Sequence, residues 1–139
     1  MESREHVIDL PKRVYIGNDV LLNVREYLTS LNLSDPFLIV TGPIVRKSIA
    51  SKLLESIEDF KHEIIEVQSA DIEEVNRVGE SAKQFKANTI IGIGGGSVID
   101  VAKYVAFRID KEFISIPTAP SHDGITSPFA AIKGLGKPI

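Results

Sequence analysis

Short runs of β-branched and apolar residues, separated by longer segments of helical period, constrain this chain more than any other feature. Phe37-Leu38-Ile39-Val40, Thr89-Ile90-Ile91-Gly92-Ile93 and Phe113-Ile114-Ser115-Ile116 show almost no polar alternation. A strand of that kind has to be covered on both faces, and a helical segment between two of them has to cross over the sheet. The order therefore predicts an α/β fold: a mostly parallel sheet with helices on both faces. His62-Glu63-Ile64-Ile65-Glu66-Val67 alternates, which suits a strand nearer an edge, and Val14-Tyr15-Ile16 is a short first strand.

Four helical segments fill the gaps. Val20, Val24, Leu28 and Leu31 fall on one face, and so do Val45, Ile49, Leu53 and Ile57 after Pro43, a residue suited to a first helical turn. Asp71 and Glu74 have capping-box spacing ahead of Ile72, Val75, Ala82 and Phe85. The segment with Val98, Ala102, Val105 and Ala106 reads as a nearly all-buried helix.

Several function classes drop out on composition. The 139 residues fit one domain, and with 43 % apolar and 25 % charged residues they are neither disordered nor repetitive. No apolar run approaches the ~20 residues needed to span a bilayer. A net charge of −3 with no basic stripe argues against a nucleic-acid scaffold. The chain has no cysteine, hence no disulfide, thiolate metal site or cysteine nucleophile, and a reducing, cytoplasmic setting is expected.

The strongest strand runs into Gly94-Gly95-Gly96-Ser97 and then a helix. Glycines let a backbone approach an anion without Cβ obstruction, while the free N–H groups and positive helix end favour negative charge. A tight turn with Ser97 and Asp100 as an ordinary capping box is the plainer alternative. Gly92-x-Gly94-x-x-Ser97 departs from the usual dinucleotide fingerprint in lacking the third glycine and in following three earlier strands. The Walker ending is missing as well, which disfavours a nucleoside triphosphatase.

After the next strand comes a dense polar stretch, Pro-Thr-Ala-Pro-Ser-His-Asp-Gly-Ile-Thr-Ser-Pro, at residues 117–128. In parallel sheets ligands sit outside the carboxyl ends of strands, so this loop is expected beside the glycine turn. Taken alone, it equally suits a proline-stiffened surface loop. Ser121, His122 and Asp123 are consecutive, which is poor geometry for a hydrolase triad.

Together, the Gly-Gly-Gly-Ser-Val-Ile-Asp-Val-Ala-Lys motif at 94–103 and the 117–128 stretch resemble the archaeal sn-glycerol-1-phosphate dehydrogenases. The first motif is shared across the dehydroquinate synthase, glycerol dehydrogenase and iron-containing alcohol dehydrogenase superfamily, and Ser-His-Asp-Gly narrows the match. The resemblance implies a Rossmann-like nucleotide-binding domain of the dehydroquinate synthase-like fold over residues 1–139. It also implies that a helical, metal-binding C-terminal domain is missing, so that this chain is an N-terminal portion, inactive alone.

Matched by position, Gly96, Ser97, Val98, Ile99 and Asp100 fall on the family's nucleotide-phosphate turn. Thr118, Ala119, Pro120 and Ser121 fall on a second cofactor segment, Ser127 on a further cofactor contact, and Asp123 on a substrate-binding position. No residue of this chain is assigned a catalytic or metal-ligating role. The implied cofactors are NADP or NAD, with zinc in the full-length enzyme on ligands outside the chain. His6 and His62 read as surface residues, and nothing marks His122 as a ligand.

The implied reaction is reversible reduction of dihydroxyacetone phosphate to sn-glycerol 1-phosphate for archaeal ether-lipid synthesis. The implied partner is thus a small-molecule substrate, without nucleic acid or integral membrane association; a homo-oligomer is left open. A glycerol or iron-dependent alcohol dehydrogenase and a non-catalytic nucleotide-binding module are the alternatives. No acid follows the second strand to disfavour a 2′-phosphate, whereas Arg46 and Lys47 lie one helical turn on, so NADP(H) is expected to be accepted at least as well as NAD(H).

Overall fold

In the computed structural model, residues 11–16, 23–48, 50–121, 124–126 and 129–133 are described. The three apolar runs pair side by side in register. Strand β2 (Phe37–Thr41) runs parallel to β4 (Thr89–Gly94), with Ile39 opposite Ile91, and β4 runs parallel to β5 (Glu112–Pro117), with Ile91 opposite Ile114. The alternating strand β3 (His62–Glu66) takes the outer place beside β2, as its pattern predicts. On the other side the sheet turns antiparallel: β8 (Phe129–Lys133) lies between β5 and β1 (Pro11–Ile16). The order is β1-β8-β5-β4-β2-β3.

Along each strand the side chains sort into two cores. Phe37, Ile39, Ile91, Ile93, Ile114 and Ile116 pack with Val24 and Leu28 of α1 (Val24–Ser30), Val45 of α2 (Pro43–Ser48) and Leu53 of α3 (Ala50–Ser56). Leu38, Val40, Ile90 and Phe113 face the other way, onto Val75, Val78 and Ala82 of α4 (Ile72–Phe85) and Val98 to Ala106 of α5 (Gly96–Ile109). Helices on both faces follow directly from apolar residues at both parities of one strand.

Four expectations need correction. Ile72 is 59 % exposed; at the first position of α4 it lies beside the core, and Val78 and Gly79 complete the buried face instead. Helix α5 is not nearly all buried, because Tyr104 and Phe107 stand in solvent on the side away from the sheet. The stretch at 117–128 is not wholly loop: β6 (Ala119–Ser121) pairs antiparallel with β7 (Gly124–Thr126). His62 is half-buried rather than on the surface, with Nδ1 2.8 Å from the Phe60 carbonyl. Val20, Ile49 and His6 lie outside the described residues.

Helix α5 is seated on β4 at unusually close range. A Cβ at Gly92 would stand 2.8 Å from Ala102 Cβ, closer than side-chain carbons approach. Ser115, the neighbour of Gly92 across the ladder, is also small and buried. Gly92→Ala should therefore destabilise the protein by about 1–3 kcal/mol through overpacking. Urea unfolding checks this, with Gly96→Ala as the comparison: a Cβ at Gly96 meets no atom within 4 Å, and that variant should keep its midpoint.

Candidate nucleotide-binding site

The chain leaves β2 toward β3 on one side and leaves β4 toward β5 on the other, although β2 and β4 are neighbours. Adjacent strands with connections that diverge open a crevice at their carboxyl ends. Those ends are tied into one row. The buried Thr41 hydroxyl donates to the Ile93 carbonyl at 2.9 Å, the Val67 N–H donates to the Thr41 carbonyl at 2.8 Å, and the Thr118 N–H donates to the Gly94 carbonyl at 2.9 Å.

At the end of β4 the chain turns sharply. Gly94 has φ +152, a conformation that L side chains rarely adopt, and a Cβ there would lie 3.1 Å from Val98 Cβ. Gly95 is the N-cap of α5, and the first helical bond runs from the Ile99 N–H to the Gly95 carbonyl at 3.0 Å. No side chain caps this end. Among the described residues, the N–H groups of Gly96, Ser97 and Val98 therefore have no helical acceptor. A Cβ at Gly95 or Gly96 would meet nothing within 4 Å, so the approach to those donors is open.

The capping-box reading of Ser97 and Asp100 is thereby corrected. The helix begins at Gly96, one residue before Ser97, so Ser97 sits inside the first turn and its hydroxyl is not at the cap position. Both side chains are exposed.

An apolar cleft of about 480 Å³ opens at this switch point. Gly42, Pro43 and Ile44 line it from the start of α2, Val67 and Gln68 from the end of β3, and Gly95, Val98 and Thr118 from the glycine turn and the end of β5. Val98 is its buried floor. Of the expected cofactor residues, Val98 and Thr118 line the cleft, and Gly96 and Ser97 follow the cleft-lining Gly95 in the first turn of α5. Ile99 is half-buried and packs toward β4, its Cδ1 3.5 Å from where a Gly92 Cβ would be, so its side chain serves the core. Ala119, Pro120 and Ser121 continue from Thr118 as β6. Asp123, His122 and Ser127 lie outside the described residues.

The cleft's far wall was not singled out in the sequence. Gly42-Pro43 directly after an apolar strand is a local signal for it, whereas Val67 and Gln68 carry none. That wall is braced from α4. Asp71 caps the helix by accepting from the Glu74 N–H at 2.9 Å, and the Ser69 hydroxyl and this N–H hold the Asp71 carboxyl below its ordinary pKa. The other half of the capping box is not made: the Glu74 carboxylate instead takes a two-pronged bond from Arg77, at 3.0 and 2.7 Å. This bond, with help from the Gln68 N–H, lowers the Glu74 pKa, and by itself it raises that of Arg77. Arg77 also donates to the Glu66 carbonyl at 2.7 Å, which fixes the end of β3 next to Val67.

The family model described as iron-containing alcohol dehydrogenase matches residues 15–139. Among similar curated proteins, a glycerol-1-phosphate dehydrogenase [NAD(P)+] of Sulfurisphaera tokodaii is 67 % identical over 99 % of this chain and 39 % of its own length. One of the same name from Sulfolobus acidocaldarius is 57 % identical over 100 % of this chain and 40 % of its own. The chain thus spans about 40 % of the length of the curated relatives it matches. Among solved structures, a glycerol dehydrogenase from Schizosaccharomyces pombe has TM-score 0.68 at 17 % identity, covering 96 % of this chain and 38 % of that one. An iron-containing alcohol dehydrogenase from Corynebacterium glutamicum also has TM-score 0.68, at 20 % identity, covering 91 % of this chain and 39 % of that one. These two likenesses concern the fold.

The Thr41 hydroxyl supplies the side-chain bond in this row of strand ends. Thr41→Val keeps the shape and removes the donor, so stability should fall by about 0.5–1.5 kcal/mol. Thr41→Ser, which keeps the hydroxyl, should recover most of the hydrogen-bond contribution; chemical denaturation of the three proteins measures both.

Proposed function

The chain belongs to the iron-containing alcohol dehydrogenase family, and on that premise we propose that it is the NAD(P)-binding part of an oxidoreductase that reduces dihydroxyacetone phosphate to sn-glycerol 1-phosphate. The observation that carries the reading is the uncapped glycine turn: three helix-start N–H groups without a helical acceptor open beside an apolar cleft at the switch point of a parallel sheet. A dinucleotide fits that combination. Its diphosphate would take the N–H groups of Gly96, Ser97 and Val98, and the apolar cleft would receive the nucleoside between Pro43 and Val67.

Thr118 anchors the second cofactor segment. Its N–H bond to the Gly94 carbonyl fixes the start of Ala119-Pro120-Ser121 against the glycine turn, so one ligand can be held from two strand ends. Ser127 is proposed as a further cofactor contact, and Asp100 as part of the phosphate turn. Asp123 is proposed to hold a substrate hydroxyl. When bound, the reduced nicotinamide supplies the hydride, and the protein's contribution is to orient it. Zinc enters the proposal through the family resemblance alone: among the described residues no group of three or more histidine or carboxylate side chains is arranged to hold a metal ion.

A role in ether-lipid synthesis, an archaeal source and a cytoplasmic site complete the proposal. Among the described residues no helix is long and apolar enough to cross a membrane.

Two substitutions test the reading. Gly96→Val places a side chain in space that is empty in the fold, so the protein should stay folded while NADPH binding, read by fluorescence titration, weakens about tenfold or more. Unchanged affinity in a folded variant would leave the turn with a purely structural role. In the complete polypeptide that carries these residues, Asp123→Asn should raise the KM for dihydroxyacetone phosphate several-fold while the Kd for NADPH stays within about twofold. Equal losses in both would assign Asp123 to support of the loop.

A further inference from the structure

An ion pair bridges the rim of the apolar cleft, one residue outside each wall. Arg46 follows the cleft-lining Val45 on α2, and Glu66 precedes the cleft-lining Val67 at the end of β3. Arg46 Nη1 donates to Glu66 Oε2 at 3.1 Å. Both side chains remain partly exposed, so either can change partner without a buried charge being stranded. The Glu66 backbone is a fixed point, since its carbonyl accepts from Arg77.

The position is what gives the pair a task. In the sheet order β5-β4-β2-β3, the end of β3 lies two strands from the glycine turn at the end of β4. Two strand spacings come to about 10 Å. A dinucleotide with its diphosphate at the turn and its nucleoside in the cleft would carry its ribose toward the end of β3. A carboxylate there accepts a hydrogen bond from a 2′-hydroxyl and repels a 2′-phosphate, whereas a guanidinium attracts the phosphate.

We propose that Arg46 and Glu66 act as one opposed pair that sets the balance between the two dinucleotides, Glu66 accepting from the 2′-hydroxyl of NAD(H) and Arg46 pairing with the 2′-phosphate of NADP(H). The proposal rests on the NAD(P)-binding reading above. It also separates Arg46 from Lys47, which the sequence grouped together: Lys47 is exposed and has no ion-pair partner among the described residues.

Titration of the complete polypeptide carrying these residues with NADH and NADPH gives the ratio of their Kd values. Glu66→Gln should shift that ratio toward NADPH and Arg46→Ala toward NADH, each by roughly threefold to tenfold, and both shifts should shrink at high salt. A change that only disturbed the fold would weaken both dinucleotides alike and leave the ratio where it was. Ratios unmoved in both variants would overturn the pair, as would a Lys47→Ala shift equal to that of Arg46→Ala. Failure of the unaltered protein to bind either dinucleotide would instead sink the underlying reading, and the pair with it, before any variant is compared.

Discussion

Helix α5 approaches strand β4 so closely that no side chain fits between Gly92 and Ala102, and the rest of the site follows from that contact. Because the helix is pulled onto the sheet, the chain between them must reverse within a residue or two. Gly94 absorbs the reversal at φ +152, and the axis of α5 then starts at the carboxyl edge of β4. A larger residue at 92 would lift the helix, and with it the three N–H groups that open toward the crevice. Packing at the strand centre and the open N–H groups at its end are thus two results of one short distance.

The two long helices show how differently one chain can treat a helix start. Helix α4 opens on Asp71, whose carboxylate accepts from the Ser69 hydroxyl and the Glu74 N–H and in return has its pKa lowered. Helix α5 opens on Gly95, with no side-chain partner for its first turn. An uncapped end leaves donors unsatisfied and gives up stability, which is reasonable where an external anion supplies the missing acceptors. The contrast also explains the bracing of the far wall: Arg77 links the capped start of α4 to the end of β3, so the cleft keeps its shape across a row of strands held mainly by backbone bonds.

Much of the fold was legible in the residues. The parallel strands β2, β4 and β5 could be read because each is a short apolar run, and the edge position of β3 could be read because Glu63 and Glu66 interrupt its apolar residues. The site was legible only near the glycines. Ser97 and Asp100 have the spacing of a cap but not its place, since the helix starts at the residue before Ser97. Ile72 has the right period for a core face, yet the first turn of α4 overhangs the sheet and leaves it in water. Glu66 gave no signal as a site residue, because its partner lies twenty positions earlier on another element.

What the sequence determined by itself was local and periodic: which segments are strands, which face of each helix is apolar, and that a glycine turn joins the best strand to a helix. These depend on residues within a few positions of one another. Only the tertiary structure decided the strand order β5-β4-β2-β3, and with it the crevice between β2 and β4, the tie from Thr118 to Gly94 and the meeting of Arg46 with Glu66. Parallel strands of similar composition can pair in several orders at nearly equal local preference. The order is settled by where each crossover helix can bury its apolar face, a constraint no short stretch of sequence contains.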